Sequence, residues 1–380
     1  LDPLTVLAYN PAIRPSRPTR RPRAAVSESG VVACRDASDG VGFTFRCGTP
    51  LTPRQHRQHT WNTQSWYAVS HSGSFSWTIR GQETIPLQIG SYRKETRHAN
   101  IVSIDGAGHR LDTRYLGGRI PLEQVSRIEQ AVTTPAFTYC HADSSAAYTD
   151  ACDIRRLFRR WVFFHGPALL IMHDLVEMTR PHLPAWHLHT TGAWRETGTG
   201  SFVGEHGDTR LAVRAFCPGT PAALVHAVSR VEWVPPYGYG LNDYKTRDWQ
   251  PEIYAERKQP PDYQELTFRP PAPVLRWELI TVMGPDPDGV ARTVMQERNG
   301  GIAVDGPGGC SVLWSAGSPL ELERLQKTVE ADAAVREGAE KKPGCLTLLG
   351  VRGWASRTDP EGLAPVHLRW RPDAATPTVL

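Results

Sequence analysis

From Ser74 to Ile79 the chain alternates polar and apolar residues, breaks at Arg80-Gly81, and alternates again through Ile85, Leu87 and Ile89. A period of two puts Phe75, Trp77 and Ile79 on one face, the pattern of a half-buried strand and not of a helix. A third apolar run, Ile101 to Ile104, stops at Asp105-Gly106, a dipeptide that tolerates the left-handed backbone of a tight turn. The spacing predicts three adjacent antiparallel strands.

Similar runs recur along the chain. Val31 to Gly48 reads as an opening hairpin, and Pro135 to Tyr148 contains another strand. Arg159 to Glu177 reads as two apolar strands around a Gly166-Pro167 turn. Further strands are expected over Pro184 to Thr191, Leu211 to Cys217, Val274 to Met283 and Val290 to Glu297. Ile302 to Val304 and Ser311 to Trp314 suggest a hairpin, and Cys345 to Arg352 and Ala364 to Trp370 suggest closing strands. One late helix is expected over Ser318 to Gly338. Ser318 is placed to cap it, Pro319 to start it, Glu321 to complete a capping box, and Leu322, Leu325 and Val329 to share a face. The fold class that follows is all-β, a large antiparallel β-sandwich with one late helix.

The expected organisation is a Pro/Arg-rich strap or linker over residues 1–24, a sandwich core over 25–317, the helix over 318–338, and closing strands and tail over 339–380. In the first segment Arg14, Arg17, Arg20, Arg21 and Arg23 alternate with prolines, which forbids a helix and favours an extended chain. Its charges suit either a polyanion or plain solvation. Inside the core, residues 233–265 have no period. Trp233, Tyr237, Tyr239, Tyr244, Trp249 and Tyr254 there could stack on sugar rings or pack under an Ω-loop of their own.

Composition narrows the class. With 40% hydrophobic and 22% charged residues, a globular chain is expected and wholesale disorder is not. No apolar run is long enough for a membrane span. The chain begins at Leu1 without a signal-like core, so any targeting segment is expected to be upstream or removed. A net charge of +4 permits an acidic polymer as partner without demanding one. Apart from the arginine segment, nothing speaks for nucleic acid. Seven cysteines without a C-x-x-C pair are neither a disulfide scaffold nor a metal finger. Cys34 and Cys47 flank a turn-rich segment and are read either as a disulfide across the hairpin or as free buried thiols.

Ser74-Phe75, Gly90 with Tyr92, and Asn100 with Asp105-Gly106 stand in the order and spacing of a known pattern. They resemble the opening of the C-terminal β-sandwich of the heparinase II/III-like polysaccharide lyases. That family writes H-x-H-x-D-x-x-S-F, then D-x-G-x-Y, then H-N-T before an apolar run and D-G. The resemblance covers most of residues 25–317 and weakens toward the C-terminus. It implies a secreted or periplasmic protein, an acidic polysaccharide or other carbohydrate as partner, and a toroidal helical domain that this chain lacks. Where the family has two histidines and an aspartate, this chain has Tyr67, Val69 and His71. The second-strand aspartate is Gln88, and the third-strand histidine is Ala99. The implied zinc ligands would fall at Val69, Gln88 and Ala99, none of them competent, so neither metal nor other cofactor is expected.

Eliminative cleavage of a uronate polymer needs donors or a cation for the carboxylate, a base for the C5 proton, and an acid for the leaving oxygen. Tyr67 and His71 are the catalytic candidates, because two strand alternations separate them and both can face one cleft. Each is equally well read as a packed strand side chain. Trp66, Tyr92, Arg97, His98, Asn100 and His189 are the substrate-binding candidates. Arg97 and His98 suit a carboxylate, whereas charges at a strand edge are more often merely solvated. His187 and His189 form an H-x-H pair on one strand face, and the family's Trp-x-x-His is matched by Trp186 and His189. Three functions stay open: a polysaccharide lyase, a catalytically silent carbohydrate-binding or scaffold module, and an enzyme on a reworked sandwich that moves a proton on a small molecule.

Overall fold

The computed structural model describes residues 23–48, 72–87, 96–110, 124–218, 224–231, 263–298 and 301–315, apart from single positions and a short gap, and the backbone of strands between 320 and 379. The first sheet runs β1 (Ala24–Val26), β2 (Val31–Arg35), β3 (Val41–Arg46), β4 (Ser74–Ile79) and β5 (Gln82–Ile85), each pairing antiparallel with the next. The expected break between β4 and β5 is a tight turn, with Arg80 at φ 50 and Gly81 at φ 79.

The second sheet is built on two long strands, β9 (Ile154–Phe164) and β10 (Leu169–His182), which turn through residues 165–168 as the Gly166-Pro167 signal predicts. Around them lie β7 (Arg127–Thr133), β8 (Phe137–Asp143), β12 (Ala193–Gly198), β13 (Ser201–His206), β14 (Thr209–Phe216) and β17 (Val274–Gly284). Their order is β12-β13-β14-β17-β10-β9-β8-β7. The third sheet contains β6 (Val102–Ile104), β11 (Pro184–Thr190), β15 (Val225–Val231) and β16 (Tyr263–Arg269), in the order β15-β16-β11-β6.

The fourth sheet starts with β18 (Val294–Arg298), β19 (Gly301–Asp305) and β20 (Ser311–Ser315). It continues through β23 (Ala333–Glu337), β24 (Gly344–Leu349), β25 (Val366–Trp370) and β26 (Thr378–Val379). A small hairpin pairs β21 (Leu320–Leu322) with β22 (Lys327–Val329).

Apolar faces decide the layering. Phe43 of β3 stacks on Phe163 of β9 at 5.8 Å, and Trp161 meets its edge at 4.9 Å. Trp186 and Phe268 of the third sheet join the same core, alongside Phe202 of β13. The first and third sheets therefore cover one face of the second, and Thr190 Oγ1 bonds the Thr84 carbonyl where their edges meet. On the other face Tyr139, Ile171 and Ile280 pack against Ile302, Val304 and Trp314 of the fourth sheet.

Three expectations change, and one open alternative is resolved. β6 does not pair with β5: it joins β11, because Val102 lies opposite Trp186 and continues the third sheet. The helix expected over Ser318 to Gly338 is replaced by β21, β22 and β23, and β23 pairs with β20 on one side and β24 on the other. Helix signals at its start yield to strand pairing, β-branched Thr328 and Val329 pairing with β21 and the strand that holds Val335 bonded on both sides. The described α-helix is α1 (Pro287–Ala291), capped by the Asp286 side chain on Asp288 N. It takes the start of the strand expected from Val290, which begins only at Val294. Cys34 and Cys47 are free buried thiols, since Cys34 lies opposite Phe43 in the hairpin and Cys47 falls beyond its end.

Residues 1–22 and 232–262 lie outside the described residues, and with them the arginine segment to Pro22 and the aromatics from Trp233 to Tyr254. Tyr263 to Glu265, assigned by sequence to the aperiodic stretch, open β16. Among the described residues no helix is long and apolar enough to cross a membrane.

Candidate active site

Alternation along β11 sorts its side chains. Trp186 and Leu188 point into the core with Leu266 and Phe268 of β16. His187 and His189 therefore share the opposite face with Glu265 of β16 and Ser229 of β15. His189 lies directly opposite Glu265, and Glu265 opposite Ser229. On the other side of β11, Ser103 of β6 lies opposite Ala185, one diagonal step from His187.

These residues bond to one another. His187 Nδ1 lies 2.5 Å from Glu265 Oε1, and His187 Nε2 lies 2.7 Å from Ser103 Oγ. Ser229 Oγ donates to the second carboxylate oxygen of Glu265 at 3.1 Å. Burial would raise the Glu265 pKa, but the His187 hydrogen bond and charge, with Ser229, bring it down to about 2. An ionised carboxylate accepts only, so His187 presents its Nδ1 proton to Glu265.

Asn100 supports the site from beneath. Its Nδ2 donates to the carbonyls of Phe75 at 2.7 Å and Pro86 at 2.6 Å. Two carbonyl acceptors fix which end of the amide is nitrogen, so Oδ1 is the acceptor for the His189 backbone N–H at 2.9 Å and for Nδ1 at 3.2 Å. His189 is thereby held with its proton on Nδ1 and a lone pair on Nε2, which sits 3.7 Å from Glu265 Oε1. Burial first, then the charges of His187 and His98, push the His189 pKa down to about 3 against the pull of Glu265.

Below Asn100 lies a buried ion pair. Arg159 Nε and Nη2 grip the two oxygens of Asp174 at 2.7 and 3.2 Å. Arg159 Nη1 also bonds the Asn100 carbonyl at 2.7 Å and the Gly73 carbonyl. One guanidinium thus ties β9 and β10 to the start of β4 and to the segment before β6. Burial raises the Asp174 pKa despite that guanidinium.

The structure brings together Asn100, His187 and His189 among the residues singled out by sequence. Arg97 and His98 share a 3-10 turn over Thr96–His98, but Arg97 is exposed while His98 is buried near His189. Tyr67, His71, Trp66 and Tyr92 lie outside the described residues. Ala99, where the resemblance implies a zinc-binding histidine, is fully buried and offers only a methyl. Among the described residues no group of three or more His, Cys, Asp or Glu is disposed to hold a metal ion.

Sequence reasoning missed Ser103, Arg159 and Glu265. The alternation of Gln264, Leu266 and Phe268 marks β16 and would have placed Glu265 on the outer face.

No family model and no curated protein matches the chain. Solved structures do. Heparan sulfate lyase HepC from Pedobacter heparinus is 12% identical with a TM-score of 0.52, covering 78% of this chain and 42% of that one. A heparinase III gene product is 13% identical with a TM-score of 0.53, covering 78% and 43%. Another heparinase III is 10% identical with a TM-score of 0.50, covering 77% and 42%. The chain thus spans less than half the length of these neighbours. At such identities the likeness is one of fold, and the fold of this chain is an all-β, heparinase III-like sandwich.

Proposed function

We propose that the chain is the sandwich portion of a polysaccharide lyase-like protein that cleaves uronate-containing acidic polysaccharide by elimination. The observation that supports this is the likeness over more than three-quarters of the chain to heparan sulfate lyase HepC and heparinase III. Tyr67 is the candidate for the base and acid of a syn-elimination, with His71 beside it to move the proton. Trp66, Tyr92 and Arg97 would contact the sugar, and His98, which is buried, would support them from within. Asn100 and His189 would shape the floor, since the Asn100 amide is already engaged by Phe75, Pro86 and His189. A helical toroid domain would complete the cleft, the protein would work outside the cytoplasm, and no metal is assigned to it.

A second reading, a carbohydrate-binding module without catalysis, draws on the burial of Asn100 and His189, both fully enclosed. One experiment separates the two. The chain and its Tyr67→Phe variant are incubated with a panel of acidic polysaccharides, and the ultraviolet absorbance of unsaturated uronate is followed alongside binding. A rise lost in the variant is the expected result. Binding with a flat trace would leave the module, and neither signal would sink both.

A further inference from the structure

Ser103, His187 and Glu265 run diagonally across three adjacent strands, β6, β11 and β16, and their contacts form one line. The Ser103 hydroxyl lies 2.7 Å from His187 Nε2, and His187 Nδ1 lies 2.5 Å from Glu265 Oε1. The first distance falls in the hydrogen-bond range that an activated nucleophile and its base require, and the second is a short contact that fixes the imidazole against the carboxylate. Glu265 is itself held from its other oxygen by Ser229 at 3.1 Å. With one proton on the imidazole, that proton sits on Nδ1 facing the carboxylate, and Nε2 is free to take the Ser103 proton.

We propose that Ser103, His187 and Glu265 are a nucleophile, base and orienting carboxylate that transfer small acyl groups from esters. The recognition of such constellations rests on geometry and roles, not on fold or sequence position. In the step, Ser103 Oγ bonds the acyl carbon while the ester C–O bond breaks. The serine proton passes to His187 Nε2 and then to the departing alkoxide oxygen. Water, activated by the same nitrogen, then releases the acid and restores Ser103.

Burial limits the size of the substrate. Ser103 is 1% exposed and His187 7%, so the acyl group that Ser103 could take is small. This activity is independent of uronate elimination and neither requires nor excludes it.

The test uses the full chain with diisopropyl fluorophosphate, followed by intact mass and peptide mapping, and with p-nitrophenyl acetate as a chromogenic ester. In labelling, Ser103 Oγ bonds phosphorus, fluoride leaves, and His187 takes the proton. The expected result is a single adduct that maps to Ser103 and is absent in Ser103→Ala. Labelling and ester hydrolysis should each be about a hundredfold slower in Glu265→Gln. Mapping on the unsubstituted chain needs no variant to fold. An absent adduct, an adduct on another residue, or equal labelling of the urea-unfolded chain would overturn the proposal.

Discussion

A single guanidinium joins parts of the chain that are far apart in sequence, and its removal shows what such a contact is worth. Arg159 is buried with Asp174 and also satisfies the carbonyls of Gly73 and Asn100. Asp174→Asn leaves a buried cation without its counter-charge, and a loss of about 3–5 kcal/mol is expected in urea unfolding. Replacing both partners with apolar residues, Arg159→Met with Asp174→Leu, should recover part of that loss and not all of it. Two carbonyls remain without a donor, each at about 1–3 kcal/mol. Full recovery would mean those bonds contribute nothing. The thiols obey the same desolvation rule: burial pushes Cys34 and Cys47 each up to about 12. Neither should react with iodoacetamide in the native protein, and both should do so on unfolding, because the thiolate is the reactive form. Modification of native Cys34 or Cys47 in the first minutes, read by mass mapping, would contradict their burial.

Between elements, the corner where β10 passes into β11 carries a charged clasp. His182 donates through Nδ1 to Asp105 at 2.6 Å and through Nε2 to Asp153 at 2.8 Å, and Arg180 holds Asp153 from outside. Asp105 and Asp153 both adopt left-handed backbone, at φ 51 and 50, so two turns are pinned by one imidazolium. The Asp105 and Asp153 hydrogen bonds raise the His182 pKa above 6.5. A raised folded value means that the clasp's contribution is complete below pH 6.5 and is lost as pH rises through the folded pKa. The His182 bond, ahead of the others, lowers both aspartates below 3.8. Their share is present above that value and fades as pH falls through the folded pKa. His182→Gln should therefore lower the melting temperature most between about pH 4 and 6.5 and least at pH 9. A pH-independent shift would refute the ionic clasp.

The same corner shows how much the sequence reveals. The alternation of β4, the Asp105-Gly106 turn and the apolar strands around Gly166-Pro167 are local signals, and the structure has them all. That β6 leaves β5 for β11 is not local: it depends on Trp186 and Val102 meeting across a sheet edge. Asn100 and His189 could be marked as candidates from type and spacing. Their joint orientation required the carbonyls of Phe75 and Pro86, which no pattern in the sequence ties to them.

At the scale of the molecule, 380 residues exceed what one hydrophobic core usually fills, and chains of that size tend to divide. Here the eight-stranded sheet instead serves two cores, one on each face. Along β10, Leu170 and Met172 enter the larger core while Leu169 and Ile171 enter the smaller, so one strand belongs to both. Trp314 anchors the smaller core from the fourth sheet. It is fully buried, its ring centroid lies 6.3 Å from that of Tyr139, and Arg160 sits over its face at 5.3 Å. Trp314→Ala removes that volume and the cation's aromatic partner, and a loss of about 3–5 kcal/mol is expected. Because the shared sheet couples the cores, the loss should shift one cooperative transition, with tryptophan fluorescence and far-ultraviolet dichroism moving together. Two separated transitions, the first carrying the whole effect of the substitution, would show that the fourth sheet unfolds alone. The central sheet would then be sustained by its larger core without the second.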